Sequence, residues 1–274
     1  LLRAGRLEEG GELVQQVLDA AGMRIPASEV GVILRYLGNR IRLGFRGLDF
    51  VERPASELSS EELGRLDVAL SASALLAMTD TLAGALMHTR SLEMALEAGE
   101  PHRVARALGI EASFAAVVGM KAEDKANGIL QTAWGLAERL DDARALGFLG
   151  GIRALLRFQA GRWAQSAVAA EEAQRVLLES CQGVHHELGL ARSYELADLA
   201  WLGRLRDFAR LSDDWIDEAT DRGDLNAWLM LRLGGPIQVG AIRDQPEVAM
   251  QQVLDVRGRW PDARFGILDV YTQR

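Results

Sequence analysis

The sequence predicts an all-α protein: a right-handed α–α superhelix of antiparallel helical hairpins, resembling a tetratricopeptide solenoid. Three observations carry this. Nearly every segment repeats its apolar residues with a helical period, and none sustains the two-residue alternation of a strand. Glycine and proline punctuate the chain at helix-length intervals, which predicts about 12 or 13 helices, most of roughly 14 to 20 residues. A turn motif recurs along the chain, as set out below.

The elements follow in order. A helix rich in positive charge carries Arg35, Arg40, Arg42 and Arg46. The stretch 47–58, with Pro54, is the longest expected linker and a possible sub-boundary within a single domain spanning 1–274. Ser59-Ser60-Glu61-Glu62 reads as a capping box, in which the Ser59 hydroxyl accepts from the Glu62 N–H while that carboxylate reaches back. The helix behind it puts Leu63, Leu66, Leu70 and Ala74 on one face. Thr79 or Asp80 caps the next helix, and Gly99 ends it. Pro101 stands at a first-turn position, where its missing N–H costs nothing. Asp141 is expected to cap a helix running to Gly161, and Gly223-Asp224 marks another stop and start. Gly234-Gly235-Pro236 interrupts the helical stretch Leu225 to Ile242, predicting a kink or a short loop.

The repeat pattern is a glycine turn, a large apolar residue two later, then small residues at helical spacings. Gly161-Arg162-Trp163 with Ser166 and Ala173 fits it. Gly5-Arg6-Leu7 with Gly10 fits in part. Gly203-Arg204-Leu205 fits at the turn but has Phe208 where a small residue is expected. Asp244 with Ala249 fits the spacing, and Ala126 with Ala133 fits another copy that lacks the glycine. The later turns are spaced by about 40 residues, longer than the tetratricopeptide period of about 34. Small residues there let two helices approach closely. A single pair cannot cover its apolar face, so pairs stack.

Composition narrows the function. The net charge of -8 argues against a general binder of nucleic acid or anionic membrane. No apolar run nears the roughly 20 residues of a membrane span; Phe114 to Met120 is the longest candidate. Cys181 is the sole cysteine, which excludes an intrachain disulfide and suits a reducing, cytoplasmic setting. The chain starts at Leu1-Leu2-Arg3 without a methionine or signal-peptide pattern, and it stops inside a helix-like stretch at Arg274. It is therefore expected to be an excerpt of a longer protein.

The block Asp80-Thr81-Leu82-Ala83-Gly84-Ala85, Arg90-Ser91-Leu92 and Ala95 to Leu108 resembles the C-terminal region of large bacterial serine/threonine protein kinases. Gly161-Arg162-Trp163, Cys181-Gln182-Gly183, Gly203-Arg204-Leu205 and Arg222-Gly223-Asp224-Leu225 extend the likeness over nearly the whole chain. The resemblance implies a tetratricopeptide-like tail that docks partners and regulates attached kinase and ATPase modules. Those modules have no counterpart here. There is no glycine-rich loop with a strand lysine, no His-Arg-Asp, no Asp-Phe-Gly and no phosphate-binding Gly-x-x-x-x-Gly-Lys-Ser/Thr.

Candidate sites are few. Cys181, His185, His186 and Glu187 have metal-ligand chemistry, but zinc wants about four ligands in paired spacings, and adjacent histidines on a helix diverge by about 100°. No metal, cofactor or catalytic residue is therefore predicted. Arg35, Arg42 and Arg46 fall at seven- and four-residue spacings, so they share a helix side and could dock an acidic partner. Arg103 and Arg106, near Glu100, could form one forked anion-binding edge or fix the register of neighbouring hairpins. Asp213, Asp214 and Asp217 read as solubilising charge. Trp134, Trp163, Trp201, Trp215, Trp228 and Trp260 read chiefly as hairpin core.

These features predict a non-catalytic protein–protein interaction and regulatory scaffold. Its partner would be a protein, either another domain of the parent chain or a separate molecule. The alternative is a small-molecule sensor controlling the attached modules, recognisable by a deep pocket lined by Trp and Arg. A helical-repeat enzyme comes third and requires a cleft of titratable groups with shifted pKa values.

Overall fold

A computed structural model describes residues 7–117, 123–225, 227–228, 231, 243–248, 250–251 and 254. Among them every long element is helical. The helices are α1 (Leu7–Ala20), α2 (Glu29–Arg46), α3 (Ser60–Thr79), α4 (Thr81–Ala98), α5 (Pro101–Val117), α6 (Glu123–Arg139), α7 (Ala143–Gln159), α8 (Trp163–Ser180), α9 (His185–Trp201) and α10 (Leu205–Asp221). Their lengths run from 14 to 20 residues. Among the described residues, no helix is long and apolar enough to cross a membrane. The Gly234-Gly235-Pro236 interruption, Trp260 and the repeat copy ending at Ala249 lie outside the described residues.

Local chemistry sets the boundaries. The capping box forms as read: the Ser59 Oγ accepts from Glu62 N, and Glu62 Oε2 accepts from Ser59 N at 2.9 Å. Asp80 caps α4, its carboxylate accepting from Ala83 N at 3.0 Å. At the next such position the expected cap is displaced by one residue. Asp142, not Asp141, accepts from Ala145 N at 2.9 Å. Asp141 instead adopts φ 51 and turns the chain, a conformation Asp tolerates better than most residues.

The helices pack as neighbouring pairs, α3 with α4, α5 with α6 and α7 with α8, while α9 packs on α8 and α10. The first helices of successive pairs also touch, α3 on α5, α5 on α7 and α7 on α9. Helix α1 lies on α3, and α2 lies on α4. Leu66, Leu70, Leu92, Leu96, Leu108 and Leu149 occupy the largest core cluster. The buried face of α3 is turned from the predicted one. Leu66 and Leu70 are buried but Leu63 and Ala74 only partly so, while Ala69, Ala72 and Leu76 are buried too, because α3 is covered from more than one side.

The small-residue positions mark close helix approach. Ser166 is fully buried, its hydroxyl donating to the Ala154 carbonyl at 2.8 Å. A Cβ on Gly150 of α7 would come within 2.8 Å of the Ala173 Cβ on α8. At the next turn Phe208 is fully buried where a small residue was expected. It anchors a separate cluster with Leu199, Trp215 and Trp228.

The 47–58 stretch is pinned rather than loose. Leu48 and Phe50 pack on the main core, and Arg53 N donates to the Gly99 carbonyl at 3.0 Å. Residues Ala55–Glu57 form a single 3-10 turn. Gly99 has φ 70, and a Cβ there would sit 2.0 Å from the Val51 carbonyl oxygen. Gly161 also has positive φ, but open space surrounds it. Gly99→Ala is therefore expected to destabilise the chain by about 2 kcal/mol or more, and Gly161→Ala by about 1 kcal/mol. Thermal denaturation of the two variants checks the difference. Equal losses would show that the Val51 contact is unimportant.

Candidate functional site

Helix α2 is the most unusual surface element. Ser28 caps it, accepting from Gly31 N at 3.2 Å, with Glu29 in the first turn and Arg46 in the last, matching the helix dipole. Its inner side buries Val32 and Leu43. Two arginines hold it down. Arg40 donates through both terminal nitrogens to Glu111 of α5, at 2.8 and 2.9 Å. Arg42 donates to both oxygens of Glu93 on α4, the Nε bond being 2.9 Å. Both carboxylates are buried.

Behind Glu111 lies His88, also buried. Its Nε2 is 3.0 Å from Glu111 Oε2, and its ring stacks on Phe114 with centroids 4.7 Å apart. An ionised carboxylate only accepts, so Nε2 carries the proton. The Nδ1 atom is buried without a partner among the described residues. Burial alone would raise the Glu111 carboxyl, but hydrogen bonds from His88 and Arg40, with the charge of the Arg40 guanidinium, hold it down at about 2.

The outer side of α2 is apolar. Val30, Leu34, Leu37, Ile41 and Phe45 recur at helical spacing, so they form one stripe opposite Val32 and Leu43. Val30 and Leu34 are each 66% exposed, Ile41 61% and Phe45 91%. With Ile33 these side chains form a patch on the order of 600 Å², at the top of the range for a monomer. Sequence reading missed it, although a helix apolar on two opposite sides is the legible signal.

The three predicted arginines of this helix lie along one edge of the stripe, and each is exposed. Arg35 donates to the Arg24 carbonyl at 3.1 Å, and Arg46 to the carbonyls of Gly47 and Asp49, both at 3.1 Å. Among the described residues, neither guanidinium has a carboxylate partner. Arg42 differs, because Glu93 already neutralises it. Positive charge gathers near Arg35: burial, then Arg35 and Arg65, push the neighbouring Arg90 guanidinium down.

The other predicted pair lies elsewhere, in a cleft of about 240 Å³ where α3, α5, α7 and α9 converge. Leu70, Ala145 and Phe148 contribute its apolar lining. The forked edge expected of Arg103 and Arg106 does not form. Arg103 makes a bidentate pair with Asp67 of α3, at 2.8 and 2.6 Å, and also donates to Glu100 at 3.0 Å. It thus ties neighbouring helices together. His102 pairs with Asp142 at 2.7 Å, and Arg144 with Glu187 at 2.9 Å. Arg106 is left over. Asp67 and Glu187, its nearby carboxylates, are already bonded to Arg103 and Arg144, and burial pushes the Arg106 guanidinium down.

The remaining candidates disperse. Glu187 faces Arg144, and burial raises the half-buried Cys181 thiol. Among the described residues, no three His, Cys, Asp or Glu side chains cluster to hold a metal. Asp213 pairs with Arg243, and Asp214 with Arg210. Of the tryptophans, Trp215 and Trp228 are core. Trp134 lies half-buried beneath Arg153, and Trp163 stacks on Trp201, which is 62% exposed.

Sequence reading also missed Asp198 on α9. It is fully buried, and among the described residues neither carboxylate oxygen has a hydrogen-bond partner. Burial, only partly offset by the nearby Ser166 hydroxyl and reinforced by Glu195, raises its carboxyl to about 7, the Ser166 proton being given to the Ala154 carbonyl instead.

No family model matches this chain, and neither does any curated protein or solved structure. None of these comparisons supports the resemblance to bacterial kinase tails.

The two buried acids pull stability in opposite directions with pH. Glu111 is depressed from 4.5 to about 2, so its stabilisation is complete above pH 4.5 and is lost as pH falls through 2. Asp198 is raised from 3.8 to about 7, so its penalty is absent below pH 3.8, grows as pH rises and levels off above 7. Glu111→Ala should cost about 3 kcal/mol at neutral pH, the deficit narrowing in acid. Asp198→Asn should raise Tm by about 4 °C at pH 8, the gain vanishing near pH 4. Denaturation across pH checks both. A pH-independent gain for Asp198→Asn would contradict the assignment.

Proposed function

We propose that this chain is a non-catalytic protein-docking and regulatory scaffold, a superhelical stack of helical hairpins of tetratricopeptide type. The outer stripe of α2 carries the reading. An apolar patch of this size is costly to leave in water, and such patches mark protein contact sites. The stacking of first helices, α3 on α5 on α7 on α9, supports the repeat architecture, since each pair covers the open side of the last. In the setting the kinase resemblance implies, the tail couples a partner's arrival to attached signalling modules.

A photo-crosslinker placed at Leu37 tests this. It should trap a partner polypeptide in cells, and the trap should disappear in the double variant Leu34→Asp, Ile41→Asp. Both side chains are exposed, so Tm should change by no more than about 2 °C. Crosslinking that survives the double variant, or that never occurs, would remove the basis of the reading.

A second reading, control by a small molecule, is favoured by Arg106 alone. A guanidinium without a carboxylate of its own, set in a cleft beside Arg144 and His102, suits a small anion. Millimolar phosphate or succinate should then raise the Tm of the parent and not of Arg106→Gln, by mass action. Equal shifts in both would discard it.

A further inference from the structure

We propose that the partner seated on α2 is an amphipathic helix with an apolar stripe and a row of carboxylates along one edge. The inference rests on reading the chain as a protein-docking scaffold, and it names the chemistry of the partner. It follows from the order of side chains around α2. Val30, Leu34, Leu37, Ile41 and Phe45 give the i, i+4, i+7 spacing that a second helix matches when laid alongside. The stripe runs most of the helix's 18 residues. A partner helix of equal length would therefore cover Val30 and Phe45 together.

Charge selects the partner's edge. Arg35 and Arg46 border the same side of the stripe and are exposed, tied among the described residues only to backbone carbonyls. Nearby Arg65 and Arg90 add to the positive field around Arg35. The only acid on α2 is Glu29, and helical geometry puts it on the opposite flank. Carboxylates on the incoming helix would replace backbone carbonyls with charge-assisted bonds and set its direction.

A second copy of this chain is a poorer occupant. Two α2 helices laid antiparallel about a twofold axis match apolar residues well, Val30 meeting Phe45 and Leu34 meeting Ile41. That arrangement faces like flanks, so Arg35 of one copy meets Arg42 of the other, and no carboxylate of α2 answers. An anionic membrane is also poorer. The stripe has three arginines on one edge only, and one of them is already bonded to Glu93. The chain as a whole, at net charge -8, is repelled by such a surface.

Fluorescent designed peptides, matched to α2 in length, test this against the whole chain by anisotropy. One has leucines at the helical stripe spacing and glutamates along one edge. A second replaces the glutamates with lysines, and a third replaces the leucines with serines. The glutamate peptide should bind about tenfold more tightly than the lysine peptide at low salt, with the gap closing as salt rises. The serine peptide should not bind. The double variant Arg35→Glu, Arg46→Glu should reverse the preference, with its helicity checked by circular dichroism. Equal affinity for the glutamate and lysine peptides overturns the inference. So does a concentration-dependent dimer abolished by Leu34→Asp, Ile41→Asp, or co-sedimentation with phosphatidylserine vesicles that the same variant abolishes. If neither leucine peptide binds while Leu37 still crosslinks a protein, the acidic-helix inference fails and the docking reading survives. If the crosslink is absent too, both fail.

Discussion

Two buried carboxylates decide how the first part of this protein is assembled. Glu93 on α4 and Glu111 on α5 lie where an ionised group is costly unless it is paired. No arginine of α4 or α5 bonds to either, although Arg90 of α4 lies near Glu93. Helix α2 supplies those bonds, through Arg42 and Arg40. His88 adds a third bond to Glu111 from α4, so the carboxylate joins three helices. Each helix of this group is therefore held by a charge it cannot satisfy alone. Once Arg40 and Arg42 are committed inward, the rotation of α2 about its axis is set, and the stripe from Val30 to Phe45 must face out.

Elsewhere the assembly is governed by backbone distance. On α7 and α8, Gly150 against Ala173 and Ser166 beneath Ala154 let two helices approach closely. Between α9 and α10 the same repeat position holds Phe208, and a cluster of large aromatics takes the place of close approach. Ion pairs then lock neighbouring first helices in register: Arg103 with Asp67 from α5 to α3, and Arg144 with Glu187 from α7 to α9. Three of the charged pairs lining the cleft are thus structural, which leaves Arg106 as its one guanidinium bonded to none of the lining carboxylates.

Much of the architecture was legible. The Ser59 capping box, the Asp80 cap, the Gly99 stop and the Trp163 to Ala173 spacing all form as their local chemistry requires. The displaced cap at Asp142 shows the limit of such reading, since two adjacent aspartates offer the same oxygen and only the turn decides between them. The site was less legible. Spacing placed Arg35, Arg42 and Arg46 along one side of a helix, but it did not reveal that Glu93 holds Arg42 or that Arg40 is spent on Glu111. Those partners lie 51 and 71 residues away. The stripe itself was readable as a second apolar side on α2. Asp198 was not, because an acidic residue on a helix looks solvated until its neighbours are known.

The sequence alone determined that this chain is helical and where most helices begin and end, because capping, proline and glycine act within a few residues. It also determined which faces are apolar, through period alone. Only the tertiary structure decided which of those faces is covered and which carboxylate each arginine meets. Burial and pairing depend on elements distant in the chain, and no local pattern encodes what a side chain will find opposite it. That is why the outward face of α2 could be recognised as uncovered only once the helices were assembled.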